Sequence, residues 1–178
     1  MHKKIPNTFT FISNFNKKEI LNLDKKIAII FRNYEQNYDK KKILQLKSFC
    51  KANGKLFFLA NNIKLAINLN LDGVYIPAFN KNLNIRTFNK KKNFLILGSA
   101  HNIYELRNKE KQGVEVIFLS PLFKTKHYKN GLGISKFNVL SKMSNKKIIA
   151  LGGITKKNIN KLKITNAYGF SGISYFKN

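Results

Sequence analysis

Residues 148–155 read Ile148-Ile149-Ala150-Leu151-Gly152-Gly153-Ile154-Thr155, a short apolar run that stops abruptly at two glycines. A run of this length suits a strand buried on both faces, and the glycines mark the turn that ends it. The pattern recurs outward from there in both directions. Towards the N-terminus lie Val116-Ile117-Phe118-Leu119, Phe94-Leu95-Ile96-Leu97, Gly73-Val74-Tyr75-Ile76 and Leu56-Phe57-Phe58-Leu59. Ile27-Ala28-Ile29-Ile30-Phe31 and Thr8-Phe9-Thr10-Phe11-Ile12 come before them, and Gly169-Phe170-Ser171-Gly172-Ile173 follows on the C-terminal side.

The segments between these runs have helical period. Ile43, Leu44, Leu46, Phe49 and Cys50 recur at three- and four-residue spacings, as do Ile63, Leu65, Ala66, Ile67 and Leu69. Ile103 and Leu106 followed by Gly113 mark a helix and its stop, and Thr155 ahead of Lys156-Lys157-Asn158-Ile159 has the form of an N-cap. Apolar strands alternating with amphipathic helices indicate a parallel sheet. The sequence therefore predicts one domain over residues 1–178, a compact α/β (β/α)8 TIM barrel. Its β1 is expected to begin near Thr8 and its β8 to end near Phe176, and the last helix is expected to be short or missing. An open doubly wound sheet is the competing architecture.

Glycines at the end of a barrel strand let backbone approach an anion closely, and the turn beyond presents N–H groups to phosphate oxygens. Barrels commonly hold phosphate after the seventh and eighth strands, where Gly152, Gly153, Ile173 and Ser174 would lie. On this reading a side chain at Gly153 blocks the anion and leaves the fold largely intact. The alternative is that the glycines only permit a tight turn and Ser174 caps it.

A formal charge of +26 raises nucleic acid as a partner. The distribution argues against it, because the only arginines are Arg32, Arg86 and Arg107 and the lysines are scattered over most helices and loops. No run reaches the ~20 apolar residues of a membrane span. The start, Met1-His2-Lys3-Lys4-Ile5-Pro6, is unlike a secretory signal, so a cytoplasmic protein is expected. The single cysteine, Cys50, falls in an apolar helical pattern and reads as a core residue. Three histidines and eight dispersed acids give no zinc-ligand spacing.

Three stretches together resemble the thiamine-phosphate synthase/TenI family. Ile149 to Thr155 with Asn166-Ala167-Tyr168-Gly169-Phe170-Ser171-Gly172-Ile173-Ser174 is similar to the family's Ala-Ile-Gly-Gly-Ile-Thr and Gly-Ala-Asp-Gly-Val-Ala-Val-Ile-Ser. Gly98-Ser99-Ala100-His101 and Leu119-Ser120-Pro121-Leu122-Phe123-Lys124-Thr125 resemble Val-Ser-Ala-His and Gly-Pro-Ile-Phe-Pro-Thr, and Leu71-Asp72-Gly73-Val74-Tyr75-Ile76 resembles Ala-Asp-Gly-Val-His-Leu. The resemblance implies coupling of hydroxymethylpyrimidine pyrophosphate to a thiazole phosphate with release of pyrophosphate. It implies catalysis by positioning and electrostatics, with Arg32, Ser99 and Thr125 as catalytic candidates beside the phosphate-binding Gly152, Gly153, Ile173 and Ser174.

Where the family presents two metal carboxylates, this chain has Asn61 and Asn80. Amide oxygens lack the charge that holds Mg²⁺, so Mg²⁺ is expected only together with the substrate's pyrophosphate. Of the acids, only Glu35 reads as well placed at the C-terminal mouth, where it competes with a ligand for Arg32. The family's lysine near Arg32 is absent, and Lys126 and Lys129 are phosphate candidates by proximity alone. TenI-type tautomerases carry a histidine after strand six, where this chain has Pro121, leaving His127 or His101 as substitutes; His101 reads as the start of a helix. The partners expected are phosphorylated small molecules, with no membrane and no nucleic acid. A non-catalytic binder of such ligands is the alternative, and a homodimer is the assembly that would cover an apolar patch left by a missing eighth helix.

Overall fold

The computed structural model of the protein describes residues 5–34 and 39–176, so Glu35 lies outside the described residues. Eight parallel strands close into a barrel in chain order, which decides against the open sheet. They are β1 (Thr8–Ile12), β2 (Ala28–Phe31), β3 (Phe57–Ala60), β4 (Gly73–Ile76), β5 (Leu95–Ala100), β6 (Val116–Leu119), β7 (Lys147–Leu151) and β8 (Gly169–Ser171). The register that closes the ring sets Thr8 against Phe170 and Phe9 against Ser171.

Five helices follow the strands: α1 (Lys17–Leu21), α2 (Lys40–Ala52), α3 (Ile63–Asn68), α4 (Ile103–Lys111) and α5 (Gly133–Lys142). β4 is joined to β5, and β7 to β8, through 3₁₀ turns at Leu83–Thr87 and Ile159–Ile164. The second of these corrects the expected cap. Thr155 caps no helix; its N–H donates to Asn158 Oδ1 at 2.8 Å while Asn158 Nδ2 donates to Gly153 O at 2.8 Å, so a side-chain clamp fills the place of a helical first turn.

The end of β8 also differs from expectation, since the strand stops at Ser171 rather than near Phe176. The chain turns at Gly172, where an added Cβ would lie 2.7 Å from Tyr175 Cβ. Tyr175 then packs edge-on to Phe170, with ring centroids 5.1 Å apart. As expected, no helix follows β8 among the described residues.

Two apolar layers hold the barrel. Outward-facing residues such as Ile29, Leu59, Ile96 and Ala150 pack under the helices with Ile43, Leu46 and Cys50 of α2. Inward-facing Phe9, Phe11, Ile30, Phe58, Tyr75, Leu97, Phe118 and Ile149 fill the interior. Phe118 is the hub, with ring centroids 4.9 Å from Phe9 and 5.4 Å from Tyr75. The period of two along each strand carries this inward face on to Arg32 after Ile30, to Ser99 after Leu97 and to Ser171 after Gly169. Side chains at the C-terminal mouth are thus set by the same alternation that builds the core.

Asp72 and Glu115 sit at the opposite end, as the sequence indicates. Asp72 Oδ2 accepts from Phe57 N–H at 2.8 Å and Glu115 Oε1 accepts from Ile96 N–H at 3.1 Å, so both carboxylates satisfy strand donors at the barrel base.

Candidate functional site

A cleft of about 410 Å³ opens at the C-terminal mouth. Arg32, Thr125, Gly152, Gly153, Ile173 and Ser174 all line it, together with Ser120, Lys126, His127 and Ser171. Four segments far apart in sequence meet here because each leaves the C-terminal end of a strand. Lys129 and Ser99, the other candidates, do not line it.

Gly152 and Gly153 have φ of +94° and +70°, a conformation that L side chains rarely adopt. Both are also tightly packed. A Cβ on Gly152 would lie 2.6 Å from Pro121 Cβ, and one on Gly153 would lie 2.5 Å from Lys124 O. A side chain at Gly153 therefore presses on the backbone of the loop after β6, which adds a stability cost to any effect on a ligand. Phe123 N–H donates to Gly152 O at 3.0 Å and Leu122 N–H donates to Leu151 O at 2.8 Å, fastening that loop to the turn.

Among the described residues, no protein acceptor takes the N–H of Gly153, Ile173 or Ser174. Ser171 Oγ is fully buried and also lacks a partner. Donors in a cleft without internal acceptors suit an anion. Arg32 adds charge, with its guanidinium carbon 4.8 Å from the Phe11 ring centroid. Thr125 shapes the rim: its N–H donates to Tyr128 O at 3.0 Å and its Oγ1 accepts from Tyr128 N–H at 3.1 Å.

Ser99 is buried in β5, and its hydroxyl acts on the buried phenol of Tyr75. Burial raises the pKa of Tyr75, opposed by the Ser99 hydroxyl and by the charge of Arg32, so the phenol stays neutral at ordinary pH. His101 is tied down as well. Its N–H donates to Glu105 Oε2 at 2.7 Å and its Nδ1 lies 2.8 Å from the same oxygen, while Asn102 provides the cap of α4. His101 thus sits just ahead of the helix start, and of the two candidate histidines only His127 reaches the cleft.

One acid escaped the sequence reading. Glu19 lines a neighbouring cavity of about 290 Å³ with Asn14, Asn16, Arg32 and Ile173. It reaches the mouth because α1 begins directly beyond β1, so its first turn lies at the barrel's C-terminal face. The Asn16-x-x-Glu19 spacing, in which Asn16 Oδ1 accepts from Glu19 N–H at 3.3 Å, was the available signal. Glu35 is therefore not the one acid positioned for the mouth.

Asn61 and Asn80 meet between the loops after β3 and β4. Asn80 Nδ2 donates to Asn61 Oδ1 at 2.7 Å, and Asn80 Oδ1 accepts from Asn82 N–H at 3.0 Å. Asn61 holds a left-handed φ of +58°, which Asn and Asp tolerate better than other side chains.

The sequence pattern of thiamine monophosphate synthase matches residues 19–176. The chain belongs to the thiamine monophosphate synthase family. Thiamine-phosphate synthase of Prochlorococcus marinus is 35% identical over 123 residues, which make up 67% of this chain and 35% of that protein. The Helicobacter pylori thiamine-phosphate synthase is 28% identical over 142 residues, covering 76% of this chain and 62% of its own. The chain thus spans about a third of the Prochlorococcus relative's length. A solved thiamine phosphate pyrophosphorylase from Pyrococcus furiosus superposes with a TM-score of 0.77 at 17% identity, covering 95% of this chain and 86% of that one. FabK from Thermotoga maritima also superposes, with a TM-score of 0.71 at 12% identity over 97% of this chain and 59% of its own, so the barrel alone does not single out an activity.

Within this thiamine monophosphate synthase family member, the corner at Asn61 and Asn80 does not fit a protein-held Mg²⁺. The two donors there are neutral amide oxygens, each engaged by a neighbouring N–H, and they lack the charge that holds this hard cation. No helix among the described residues is long and apolar enough to cross a membrane.

Proposed function

We propose that the chain acts in thiamin biosynthesis as a thiamine-phosphate synthase-like transferase, joining hydroxymethylpyrimidine pyrophosphate to a thiazole phosphate and releasing pyrophosphate. The observation that carries this reading is the mouth cleft in which Arg32 faces a glycine turn whose neighbouring N–H groups have no protein acceptor. The N–H groups of Gly153, Ile173 and Ser174 are the proposed seat of the thiazole phosphate, with Gly152 shaping the turn.

Arg32 holds the pyrophosphate, and its fixed charge favours the leaving group as negative charge develops there. Thr125 positions the loop after β6 over the bound phosphate. Ser99 acts through Tyr75, positioning the buried phenol under the mouth. Mg²⁺, if carried by the substrate's pyrophosphate, would supply further neutralisation of that group, since the amides at 61 and 80 provide no charged oxygen to hold it. The reading carries a cytoplasmic protein, with a homodimer as its assembly.

Incubation with both substrates and Mg²⁺, followed by chromatography of the thiamin phosphate formed, tests the proposal. Product is expected, at a rate well below that of relatives that keep both carboxylates. Ligand binding without product would mark the chain as a binder.

A further inference from the structure

Behind the corner formed by Asn61 and Asn80 lies a charge that neither the sequence reading nor the proposed chemistry uses. Lys109 of α4 is fully buried. Helical side chains lean towards their own N-terminus, and α4 starts at the mouth, so this stem runs up towards the loop after β4. Its Nζ donates to Pro77 O at 2.7 Å, to Asn80 O at 2.8 Å and to Gln112 Oε1 at 2.8 Å. Three acceptors use all three protons of an ammonium.

The surroundings are built to admit this side chain. Gly98 of β5 leaves the path open, since a Cβ there would lie 2.9 Å from Lys109 Cδ and 3.0 Å from Val114 Cγ2. Gln112 Nε2 completes the strap, donating to Asn80 O at 2.9 Å and to Asn82 O at 3.0 Å. Asn80 is thus held from behind through its carbonyl and joined in front to Asn61 through its amide.

We infer that Lys109 is the resident cation of this corner, an ammonium that closes the β4 loop onto the β3 loop through Asn80 and electrostatically excludes a divalent ion from the place between them. The inference rests on the family reading for the expectation of a metal there, and on the structure for the charge that stands in its stead. The Glu105 carboxylate offsets part of this charge, but a buried ammonium is weakly screened, so a doubly charged cation beside it is disfavoured.

The test is calorimetric titration of Mg²⁺ into three folded proteins: Asn61→Asp/Asn80→Asp, the same pair with Lys109→Gln, and the same pair with Lys109→Met. With Lys109 intact, the restored carboxylates are expected to bind Mg²⁺ only weakly, in the millimolar range. Neutralising Lys109 should tighten binding by about tenfold or more. Micromolar binding by the double variant with Lys109 intact overturns the inference, and so does equal affinity with and without the ammonium. If neither Lys109 variant folds, micromolar binding by the double variant alone still overturns the inference. The titration needs no turnover, so failure here leaves the transferase reading standing, and an inactive protein leaves this inference standing.

Discussion

Asn80 Nδ2 donates to Asn61 Oδ1 at 2.7 Å, so an amide bridge joins the loops that leave β3 and β4. A hydrogen bond between two neutral side chains thus ties together positions where the resemblance implies two carboxylates around a metal. The neutral pair needs no metal to hold the corner together.

The unmodified protein is therefore expected to show no measurable heat on titration with Mg²⁺ in the absence of pyrophosphate. Asn80→Ala should cost about 2 kcal/mol of stability, the ordinary net worth of the two side-chain hydrogen bonds it removes, with no change in response to Mg²⁺. Urea denaturation with and without Mg²⁺ checks both. Stabilisation of the unmodified protein by micromolar Mg²⁺ would contradict the reading of the corner.

The glycine turn makes a comparison that separates backbone strain from packing. Gly153 and Gly54 share a left-handed φ, +70° and +65°, but a Cβ on Gly54 would meet nothing within 4 Å. Gly54→Ala should cost only the conformational term, on the order of 1 kcal/mol. Gly153→Ala adds collision with Lys124 O and Phe123 O, which are backbone atoms, and should cost roughly 2 kcal/mol more. Equal melting temperatures for the two variants would show that the loop after β6 yields freely.

Burial pushes the Lys109 ammonium down from 10.5 to about 8. The folded state therefore disfavours the proton, and between about pH 8 and 10.5 the unfolded chain binds more protons than the folded one. This group's contribution to stability consequently rises with pH across that window. Burial raises Cys50 from 9.0 to about 12, which acts in the opposite sense, because the unfolded chain loses that proton first. The stability difference between the unmodified protein and Lys109→Met cancels Cys50, and it should move in favour of the lysine by roughly 1–2 kcal/mol between pH 7.5 and 9.5. Urea midpoints at the two pH values measure it, and a constant difference would count against the shifted lysine.

The barrel was legible because parallel strands buried on both faces are written as plain apolar runs, and each expected run falls within a residue or two of its strand apart from the longer β5 and the early stop of β8. The gathering of Arg32, Thr125, Gly152, Gly153, Ile173 and Ser174 at one cleft follows from the same alternation of strand and helix. What escaped depends on directions that a linear pattern does not carry. Lys109 reads as one more solvated lysine in a lysine-rich chain, and only the gap at Gly98 and the carbonyls of Pro77 and Asn80 make it a buried strap. Glu19 reads as an acid on a short helix, and its place beside Arg32 comes from where α1 starts. Ser171 reads only as part of a strand, and its isolation at the cleft floor is a property of the closed barrel.

Arg32 is the one arginine lining the cleft among the described residues. Arg32→Met should weaken binding of inorganic pyrophosphate by roughly 10- to 100-fold, the worth of charge-assisted hydrogen bonds to an anion. Arg107→Met, which removes a surface pair with Glu110 at 2.8 Å, should leave that affinity unchanged. Calorimetry on both variants reads the contrast, and equal losses would reduce Arg32 to one part of a diffuse positive surface.

The central claim, that this mouth couples two phosphorylated precursors, is tested most directly by single-turnover formation of thiamin phosphate from hydroxymethylpyrimidine pyrophosphate and thiazole phosphate with Mg²⁺ present. The account expects slow product and stoichiometric pyrophosphate, both lost in Arg32→Met. No product from the folded protein, under conditions in which a carboxylate-bearing relative reacts to completion, would contradict it.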